Sequence, residues 1–304
     1  QRPAKPFTPV RFRIQPPLDK IMKIGIIGLG FVGKALLNGL GDEVEVIKID
    51  PKLNTNIEDL LEFNPEIVFL CVPTPMNNDG TQNITIVEEV ISEITKASAN
   101  FLLVLKSTVL PNYIEKISQS YKRFVFNPEF LRENHANDDF INSSTIIFGG
   151  SKKNTEIISK FYKYHTKCIS KNYILTDIIS ASLIKYTINS FLATKVVFFN
   201  QLKDVFEMSN TNESWENFTN AISSDNRIGG SHMNVPGPDG RKGFGGPCFP
   251  KDTKALIEYS KNLNIEFSLL KEAVNVNDKI RLMYNEVTDR EKEQNINFEN
   301  KEEN

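Results

Sequence analysis

The sequence predicts an α/β protein in which a doubly wound parallel sheet is followed by an all-helical central domain with a long linking helix. Three observations lead to this prediction. A short apolar run from Met22 turns through closely spaced glycines into a helical pattern. Apolar strands then alternate with amphipathic helices as far as about residue 150. Beyond about residue 165, helical spacing continues for some 30 residues without a breaker.

Length and composition limit the classes of function. With 304 residues, 40% of them hydrophobic and 24% charged, the chain can form two domains with a sizeable core. Its formal net charge of -2 gives no general attraction to nucleic acid or anionic membrane, and no apolar run is long enough to span a bilayer. Cys71, Cys168 and Cys248 are too far apart for a disulfide framework or a zinc site, which favours a reducing, cytoplasmic location.

The chain divides into four segments. Residues 1–21 are rich in Pro, Lys and Arg, which predicts a flexible leader or, as an alternative, the remnant of a transit peptide. Residues 22–165 carry the α/β pattern, and residues 166–285 carry the helical pattern of the central domain. Residues 286–304 are charged and poor in hydrophobic side chains, so we expect a disordered tail.

The stretch "MKIGIIGLGFVGKALLNGL" predicts a Rossmann-like dinucleotide-binding turn. Gly28, Gly30 and Gly33 follow an apolar strand and open a helix, and Asp50 ends the next strand about 20 residues later. The glycines let a pyrophosphate approach the helix N-terminus, and Asp50 accepts hydrogen bonds from the ribose hydroxyls. A 2′-phosphate would meet like charge at Asp50, so we expect NAD rather than NADP. The alternative is a doubly wound domain whose nucleotide site no longer functions.

Polar residues follow the predicted strands at one edge of the sheet. In parallel α/β sheets, ligands bind beyond the carboxyl ends of the strands. Any one of these residues could simply cap a helix or form a turn, but five in succession at one edge favour a binding site. They are Thr74, Ser107, Thr108, Asn127 and Glu129.

The long helical pattern, around residues 176–208, places Lys185 and Asn189 on one face. This pair either belongs to a solvated stripe or, given its apolar neighbours, is half buried, where a lysine acquires a shifted pKa. The helix has more apolar surface than a small helical domain covers, so we expect a homodimer formed through it. The apolar residues expected at this contact are Phe191, Val197, Phe198 and Phe206.

The loop "GFGGPCFPKD", residues 243–252, places Cys248 among glycines and prolines. A packing cysteine normally lies among apolar side chains on a strand or helix, whereas glycine lets the backbone approach a ligand closely. From this segment alone, Cys248 is either a reactive, substrate-facing thiol or a buried loop cysteine that fills space.

Six motifs together resemble the UDP-glucose/GDP-mannose dehydrogenase family. They are "GLGFVG", "CVPTP", "KSTV", "NPEFLRE", "IKYTINSFLATKVVFFNQL" and "VPGPDGRKGFGGPCFPKD", and the resemblance covers roughly residues 22–285. It implies oxidation of the C6 alcohol of a nucleotide sugar to a carboxylate at the expense of two NAD molecules, by a dimer formed through the long helix. UDP-glucose is favoured as the sugar, which is oxidised to UDP-glucuronate, and GDP-mannose is the alternative.

The resemblance also implies roles for individual residues. Cys248 resembles the family's nucleophile, which carries first a thiohemiacetal and then a thioester. Lys185 and Asn189 would stabilise the oxyanion, Asp252 with Thr108 would manage the first proton, and Glu129 would act in thioester hydrolysis. The implied cofactor-binding residues are Gly28, Gly30, Phe31, Val32, Gly33, Asp50, Thr74, Ser107, Thr108, Glu133 and Lys251. The implied substrate-binding residues are Glu129, Phe130, Leu131, Lys185, Asn189 and Gly245. Lys251 is also expected to lower the pKa of the thiol.

Two departures from the family pattern leave alternatives open. Ser182 stands where the family usually has Glu, and the third, nucleotide-sugar-binding domain is not found after the helices, so we expect weakened substrate affinity. One alternative is a non-catalytic, NAD-binding remnant that self-associates through the long helix. Another is an enzyme of the wider β-hydroxyacid dehydrogenase type, against which the cysteine loop argues.

Overall fold

The structure is a computed structural model that describes residues 21–170, 172–284 and 286–298. It confirms the predicted fold class, with a mostly parallel sheet flanked by helices and followed by a helical domain. The expected leader lies outside the described residues, apart from Ile21. Within the described ranges, no helix is long and apolar enough to cross a membrane.

Seven strands form one sheet in the part of the chain that the structure describes. They are β1 Met22–Ile27, β2 Val44–Ile49, β3 Ile67–Leu70, β4 Leu102–Leu105, β5 Phe124–Phe126, β6 Ile146–Gly150 and β7 Tyr173–Thr176. Their order is β2-β1-β3-β4-β5-β6-β7, with β1 to β5 parallel to one another. β6 is antiparallel to β5 and parallel to β7, a reversal that the apolar pattern of a strand cannot predict because it is the same in either direction.

The central strands are buried on both faces, which is why they read as continuous apolar runs. In β3, Ile67 and Phe69 join the core cluster on one face of the sheet, and Val68 and Leu70 join the cluster on the other. β4 divides its side chains in the same way. This two-sided core holds the carboxyl ends of the strands, where the polar residues of the site follow, at one edge of the sheet.

Helices cover the sheet and build the second domain. They are α1 Phe31–Asn38, α2 Ile57–Phe63, α3 Thr85–Lys96, α4 Pro111–Ser120, α5 Ala136–Ile141, α6 Lys152–His165, α7 Ile178–Met208, α8 Trp215–Ser223, α9 Phe249–Asn262, α10 Ser268–Arg281 and α11 Asp289–Glu293. The sheet continues past residue 165, where we placed the domain boundary, because β7 pairs with β6.

α7 is the long helix expected from the sequence, and it spans 31 residues. Asp177 caps it by accepting a hydrogen bond from the Ser180 N–H. The middle of α7 packs against α9 and α10 in a separate apolar cluster that includes Tyr186 and Val197. α7 therefore packs both against the sheet and against the helices of the second domain.

The apolar residues expected to be exposed on α7 fall into two groups. Phe191 is 67% exposed and Phe198 is 59% exposed. Val197, in contrast, is buried in the helical cluster, and the Phe206 ring packs against Trp215 at a centroid distance of 5.4 Å. The expectation that Val197 and Phe206 lie on an uncovered face is therefore wrong, because the chain's own helices cover them.

The structure also differs from the expected disorder of the last segment, as far as residue 298. Within it, α11 begins with a capping box at Thr288, in which the Thr288 and Glu291 side chains bond reciprocally to backbone N–H groups. Glu291 and Ile296 are buried. The composition predicts disorder because it is highly charged, but one of these charges, Glu291, is buried in an ion pair with Arg281.

Candidate active site and cofactor site

The turn after β1 has the geometry of a dinucleotide site. Gly28 has a φ of +88°, which L side chains rarely adopt, and a Cβ at Gly33 would collide with the Gly28 carbonyl oxygen. A Cβ at Gly30 would meet no atom within 4 Å. Open space therefore lies in front of α1, and N–H groups of the first turn of a helix, here at Phe31 and Val32, have no partner within the helix and suit an anion such as a pyrophosphate.

Asp50 follows β2 and lies beside this turn. Its Oδ2 accepts a hydrogen bond from the Leu29 N–H at 2.7 Å, and its Oδ1 accepts one from the Lys52 N–H at 3.0 Å. The bond from Leu29 is the main cause that lowers the pKa of Asp50, so the carboxylate is ionised at neutral pH. The glycine turn, the helix N-terminus and an ionised carboxylate at the second strand fit NAD.

Asp50→Ala is expected to weaken NAD binding, by on the order of 1–3 kcal/mol, because charge-assisted hydrogen bonds to the ribose are lost. Titration calorimetry measures this change. Asp42→Ala is the matched control, since the Asp42 side chain is fully exposed on the loop before β2 and should leave the affinity unchanged. Equal NAD affinity in folded Asp50→Ala and wild-type protein would place Asp50 away from the ribose.

The loop after β4 is held by amide and hydroxyl groups from the loop after β3. The Thr108 carbonyl oxygen accepts hydrogen bonds from Thr74 Oγ1 at 3.0 Å and from Gln82 Nε2 at 2.7 Å. Gln82 Oε1 accepts a third from the Leu110 N–H at 3.0 Å. Ser107 Oγ donates to the Val72 carbonyl at 2.7 Å. The structure thus brings Thr74, Ser107 and Thr108 together as expected from their strand ends.

Gln82 is a residue that the sequence analysis missed. It is buried, and both ends of its amide are bonded to the backbone on either side of Val109. An isolated antiparallel bridge pairs Met76 with Gln82. A lone glutamine in a polar loop has no sequence pattern that would identify it, so only the tertiary contact shows its role.

Asn127, expected at the binding edge, has its side chain committed to the fold. Asn127 Oδ1 accepts hydrogen bonds from Tyr162 Oη at 2.6 Å and Lys106 Nζ at 3.0 Å, and its Nδ2 donates to the Ile147 carbonyl at 2.9 Å. Burial lowers the pKa of Lys106, although Cys71 and Glu129 act in the opposite direction. Asn127 therefore orients the chain that leads to Glu129.

Glu129 and Lys185 form a buried pair. Lys185 Nζ lies 3.5 Å from Glu129 Oε1 and donates to the Glu129 carbonyl oxygen at 2.5 Å. Glu129 Oε2 accepts a hydrogen bond from the Leu131 N–H at 2.6 Å. Phe130 lies beneath the ammonium, with its ring centroid 4.9 Å from Nζ. The carboxylate and the ammonium are thus fixed by the backbone of the "NPEFLRE" motif.

The electrostatics of Lys185 keep it charged. Burial acts to lower its pKa, but Glu129, Asp252 and Cys248 together outweigh burial, and the pKa lies above its ordinary value. Lys185 is therefore a buried cation, as the apolar neighbours suggested, and not part of a solvated stripe. A permanently charged ammonium suits stabilisation of an anion better than it suits proton abstraction.

Asn189 and Asp252 meet one helical turn further along α7. Asn189 Nδ2 donates to Asp252 Oδ2 at 2.6 Å, and Lys251 Nζ donates to Asp252 Oδ1 at 2.6 Å. All three side chains are buried. Asp252 lies in the first turn of α9, and its N–H donates to the Cys248 carbonyl at 2.9 Å. The contact between α7 and α9 therefore joins the lysine helix to the cysteine loop.

Cys248 is the N-cap residue of α9 and is half-buried. Burial raises the pKa of its thiol to about 11, with Glu129 and Asp252 acting in the same direction and Lys185 and Lys251 acting against them. Lys251 acts to lower the pKa of the thiol, as expected, but burial is the larger effect, so the thiol pKa lies above its ordinary value. The resting thiol is protonated at neutral pH.

The remaining predicted residues lie around this centre. Ser182 is buried on α7 and donates through Oγ to the Val109 carbonyl at 2.7 Å, so it joins α7 to the Thr108 loop. Glu133 forms an ion pair with Arg290 at 2.8 Å. A Cβ at Gly245 would collide with the side chains of Arg281 and Glu291. No sequence pattern singled out Arg281, in the predicted central domain, or Glu291, in the segment that was expected to be disordered.

The sequence matches two domains of one family. Residues 51–166 match the NAD binding domain of the UDP-glucose/GDP-mannose dehydrogenase family, and residues 179–279 match its central domain. A UDP-glucose 6-dehydrogenase of Rickettsia bellii is 33% identical, over 84% of this chain and 67% of its own length. The chain belongs to the UDP-glucose/GDP-mannose dehydrogenase family. Membership also gives the cofactor of its first domain, which is NAD.

Two further comparisons agree with membership in the UDP-glucose/GDP-mannose dehydrogenase family. A UDP-glucose 6-dehydrogenase of Rickettsia felis is 32% identical, over 84% of this chain and 64% of its own length. The solved structure of a UDP-glucose dehydrogenase from Pyrobaculum islandicum superposes with a TM-score of 0.71 and 25% identity, over 88% of this chain and 70% of that one. This chain thus spans 64% to 67% of the length of the two curated relatives.

Proposed function

We propose that this chain oxidises the C6 alcohol of UDP-glucose to the carboxylate of UDP-glucuronate in two hydride transfers, with a thiohemiacetal and then a thioester on Cys248. The observation that carries the proposal is the convergence of Cys248 with Lys185, Asn189, Asp252 and Glu129. NAD, when bound, supplies the hydride acceptor for each oxidation. The names of the two curated relatives support UDP-glucose as the sugar.

In the first oxidation, the chain has to remove the hydroxyl proton and hold the alcohol in place. Asp252 is the proposed base, acting with Thr108 and an ordered water. Its two carboxylate oxygens are held by Asn189 and Lys251, so its position is fixed before the sugar binds. The product of this step is the C6 aldehyde, which cannot readily give a second hydride until a nucleophile has added to it.

In the second oxidation, the Cys248 thiol gives up its proton to water and its sulfur forms a bond to the aldehyde carbon, while the π electrons of the C=O bond move to the oxygen to give a thiohemiacetal oxyanion. The oxyanion that forms would be stabilised by the Lys185 ammonium and the Asn189 amide, one helical turn apart on the same face of α7. Lys185 also acts to lower the pKa of the thiol, so it favours both the thiolate and the oxyanion. Transfer of the second hydride to NAD then converts the thiohemiacetal to a thioester.

Hydrolysis of the thioester requires a base for the attacking water. Glu129 is the proposed base, since it is buried beside Lys185 and within the electrostatic reach of Cys248. Water adds to the thioester carbon, Glu129 takes its proton, and the C–S bond breaks to release the sugar acid and the thiol. The contacts that join Lys185 to Glu129 and Asn189 to Asp252 support these proposed roles.

Two other functions are weighed against this proposal. A non-catalytic NAD-binding protein would have no need for a buried ammonium–carboxylate pair next to a thiol, because burying charges costs free energy. An enzyme acting on free hydroxy acids would not need the thiol. Oxidation of GDP-mannose uses the same chemistry, so it differs from the proposal only in the nucleotide and the sugar.

An NADH absorbance assay with UDP-glucose, GDP-mannose and UDP-N-acetyl sugars tests the proposed function. The expected result is about two NADH per molecule of UDP-glucose, because both oxidations occur on one substrate. One NADH per sugar would indicate that the reaction stops at the aldehyde. If none of these sugars reduces NAD while NAD still binds, the non-catalytic alternative is favoured.

We also propose that the chain forms a homodimer through the exposed face of α7. Phe191, Phe198, Val205 and Met208 are exposed apolar side chains on this helix. Their spacing of seven between the first three and of three between the last two places them on one stripe of the helix. A second copy of the same helix would cover this stripe in a two-fold contact.

The double variant Phe191→Asp, Phe198→Asp is expected to convert a dimer to a monomer, because it places two charges in an apolar contact. Light scattering at micromolar concentration measures the mass. Leu263→Asp is the matched control, since Leu263 is an exposed apolar residue at the end of α9 and should leave the dimer intact. A wild-type protein that is monomeric at this concentration would contradict the proposed contact.

A further inference from the structure

Residues 288–296, here called the strap, connect loops that carry residues of the proposed active site. The Glu291 carboxylate accepts a hydrogen bond from the Gly246 N–H at 3.0 Å, two residues before the proposed nucleophile. Arg290, the residue before Glu291, forms an ion pair with Glu133 of the "NPEFLRE" motif. The strap therefore touches the cysteine loop and the segment that positions the proposed general base.

A third contact joins the strap to the loop after β3. The Met76 N–H donates to the Gln294 carbonyl at 3.1 Å, and Asn295 Nδ2 donates to the Met76 carbonyl at 3.0 Å. Met76 pairs in turn with Gln82, whose amide holds the Thr108 backbone. The strap is thus bonded to both sides of the proposed site, the side of the cysteine loop and the side of the Thr108 loop.

Glu291 is the buried centre of the strap. It is 0% exposed, and its Oε1 also accepts a hydrogen bond from Arg281 Nη2 at 3.1 Å. Arg281, which is 2% exposed, donates through Nη1 to Asp239 at 2.7 Å. Glu291 Oε2 accepts from the Thr288 N–H at 2.7 Å. Every lone pair direction of this carboxylate is used inside the chain, which is what a buried charge requires.

The loop that Glu291 holds, residues 243–248, is rich in glycine and therefore flexible in its backbone. Gly243 and Gly246 both have positive φ, of +77° and +75°, and consecutive glycines in this loop allow many other conformations. Buried asparagines fix its first half: Asn200 accepts from the Gly243 N–H, and Asn277 bonds to both backbone groups of Phe244. Glu291 is the side chain that bonds to the backbone in the second half, next to Cys248.

We propose that the strap is a positioning element of the active site and that Glu291 is its positioning residue, which holds the Gly245–Gly246 backbone so that Cys248 stays beside Lys185 and Asn189. This inference rests on the proposed function of Cys248 as the nucleophile. Glu291 acts through the loop backbone, so it is not itself a catalytic residue. Removing its carboxylate frees the Gly246 N–H and leaves the Arg281 guanidinium with one partner fewer.

Alkylation of Cys248 against pH tests the inference without turnover. In the wild type, with the thiol pKa at about 11, the rate with iodoacetamide should rise roughly tenfold per pH unit up to that value. In Glu291→Ala, a loosened loop exposes the thiol, so the midpoint should move toward the ordinary 9.0 and the rate near pH 8 should rise about tenfold or more. The charged groups that face the thiol are Glu129, Lys185, Asp252 and Lys251.

Two further variants sharpen this test. Glu293→Ala is the matched control, since Glu293 lies on the same helix and pairs with Arg290 at the surface, so its alkylation profile should equal that of the wild type. Glu291→Gln keeps an acceptor for the Gly246 N–H and should retain most of the wild-type profile. Peptide mapping assigns the alkylated site to Cys248. A folded Glu291→Ala protein with an unchanged profile, or a Glu293→Ala protein with the same shift, would overturn the inference.

Hydrogen exchange of the Gly246 amide in the wild-type protein tests the bond from Gly246 to Glu291 even if Glu291→Ala does not fold. The Gly246 amide lies outside helices and strands, so only its bond to Glu291 should protect it, and we expect exchange at least tenfold slower than in an unstructured peptide. Exchange at the unprotected rate would contradict the inference. Neither the alkylation of Cys248 nor the amide exchange at Gly246 requires sugar oxidation. A chain that oxidises no sugar would contradict the proposed function, and these two measurements would still test the positioning role of Glu291.

Discussion

Cys248→Ser is expected to reduce sugar oxidation by roughly three or more powers of ten while leaving the fold and NAD affinity intact. A serine hydroxyl is similar in size to the thiol but is a far weaker nucleophile, and its ester is hydrolysed less readily than a thioester. Because the proposed role of the thiol begins only after the first hydride has left, the variant should still form some aldehyde or stall with an ester on the introduced serine. Steady-state NADH formation and intact-mass spectrometry measure the two outcomes.

Cys168→Ser provides the control for this variant. Cys168 is half-buried like Cys248, but it precedes β7 on the far part of the sheet, so its loss should leave turnover unchanged. Sugar acid formed by Cys248→Ser at the wild-type rate would show that Cys248 is structural. In that case the thiohemiacetal and thioester steps of the mechanism would have to be abandoned.

Lys185→Met is expected to affect both activity and stability. Removal of one oxyanion donor lowers kcat by roughly 10²–10³-fold. The Glu129 carboxylate is then buried without its cation, which costs about 3–5 kcal/mol in the free energy of unfolding. Steady-state kinetics measure the change in kcat. Denaturant unfolding with linear extrapolation measures the change in the free energy of unfolding.

A second substitution separates the two effects of Lys185→Met. Adding Glu129→Gln removes the unpaired charge, so stability should recover in part, whereas activity should stay low because both groups act in the reaction. Lys203→Met is the control on the same helix, where the partly exposed pair with Glu207 should contribute less than about 1 kcal/mol. If Lys185→Met had the stability of Lys203→Met, the buried pair would not be an important contact.

The fold could be predicted from the sequence because local patterns carried it. The glycine turn at Gly28, the continuous apolar strands and the uninterrupted spacing of α7 each predict an element without reference to the rest of the chain. The antiparallel direction of β6 could not be predicted in this way, because direction depends on how the chain returns to the sheet. The ordered structure within residues 286–298 could not be predicted for a similar reason, since the burial of Glu291 depends on its contacts with Arg281 and Gly246, which are distant in sequence.

The residue types that are available for chemistry can be read from the sequence: a cysteine in a glycine loop, a lysine and an asparagine one helical turn apart, and carboxylates in two motifs. Their interactions depend on the tertiary structure. It paired Lys185 with Glu129 and Lys251 with Asp252, and it removed enough water from around the half-buried Cys248 thiol to raise its pKa to about 11. The physical reason is that ionisation depends on burial and on charges from distant parts of the chain, and neither is encoded by spacing along the sequence.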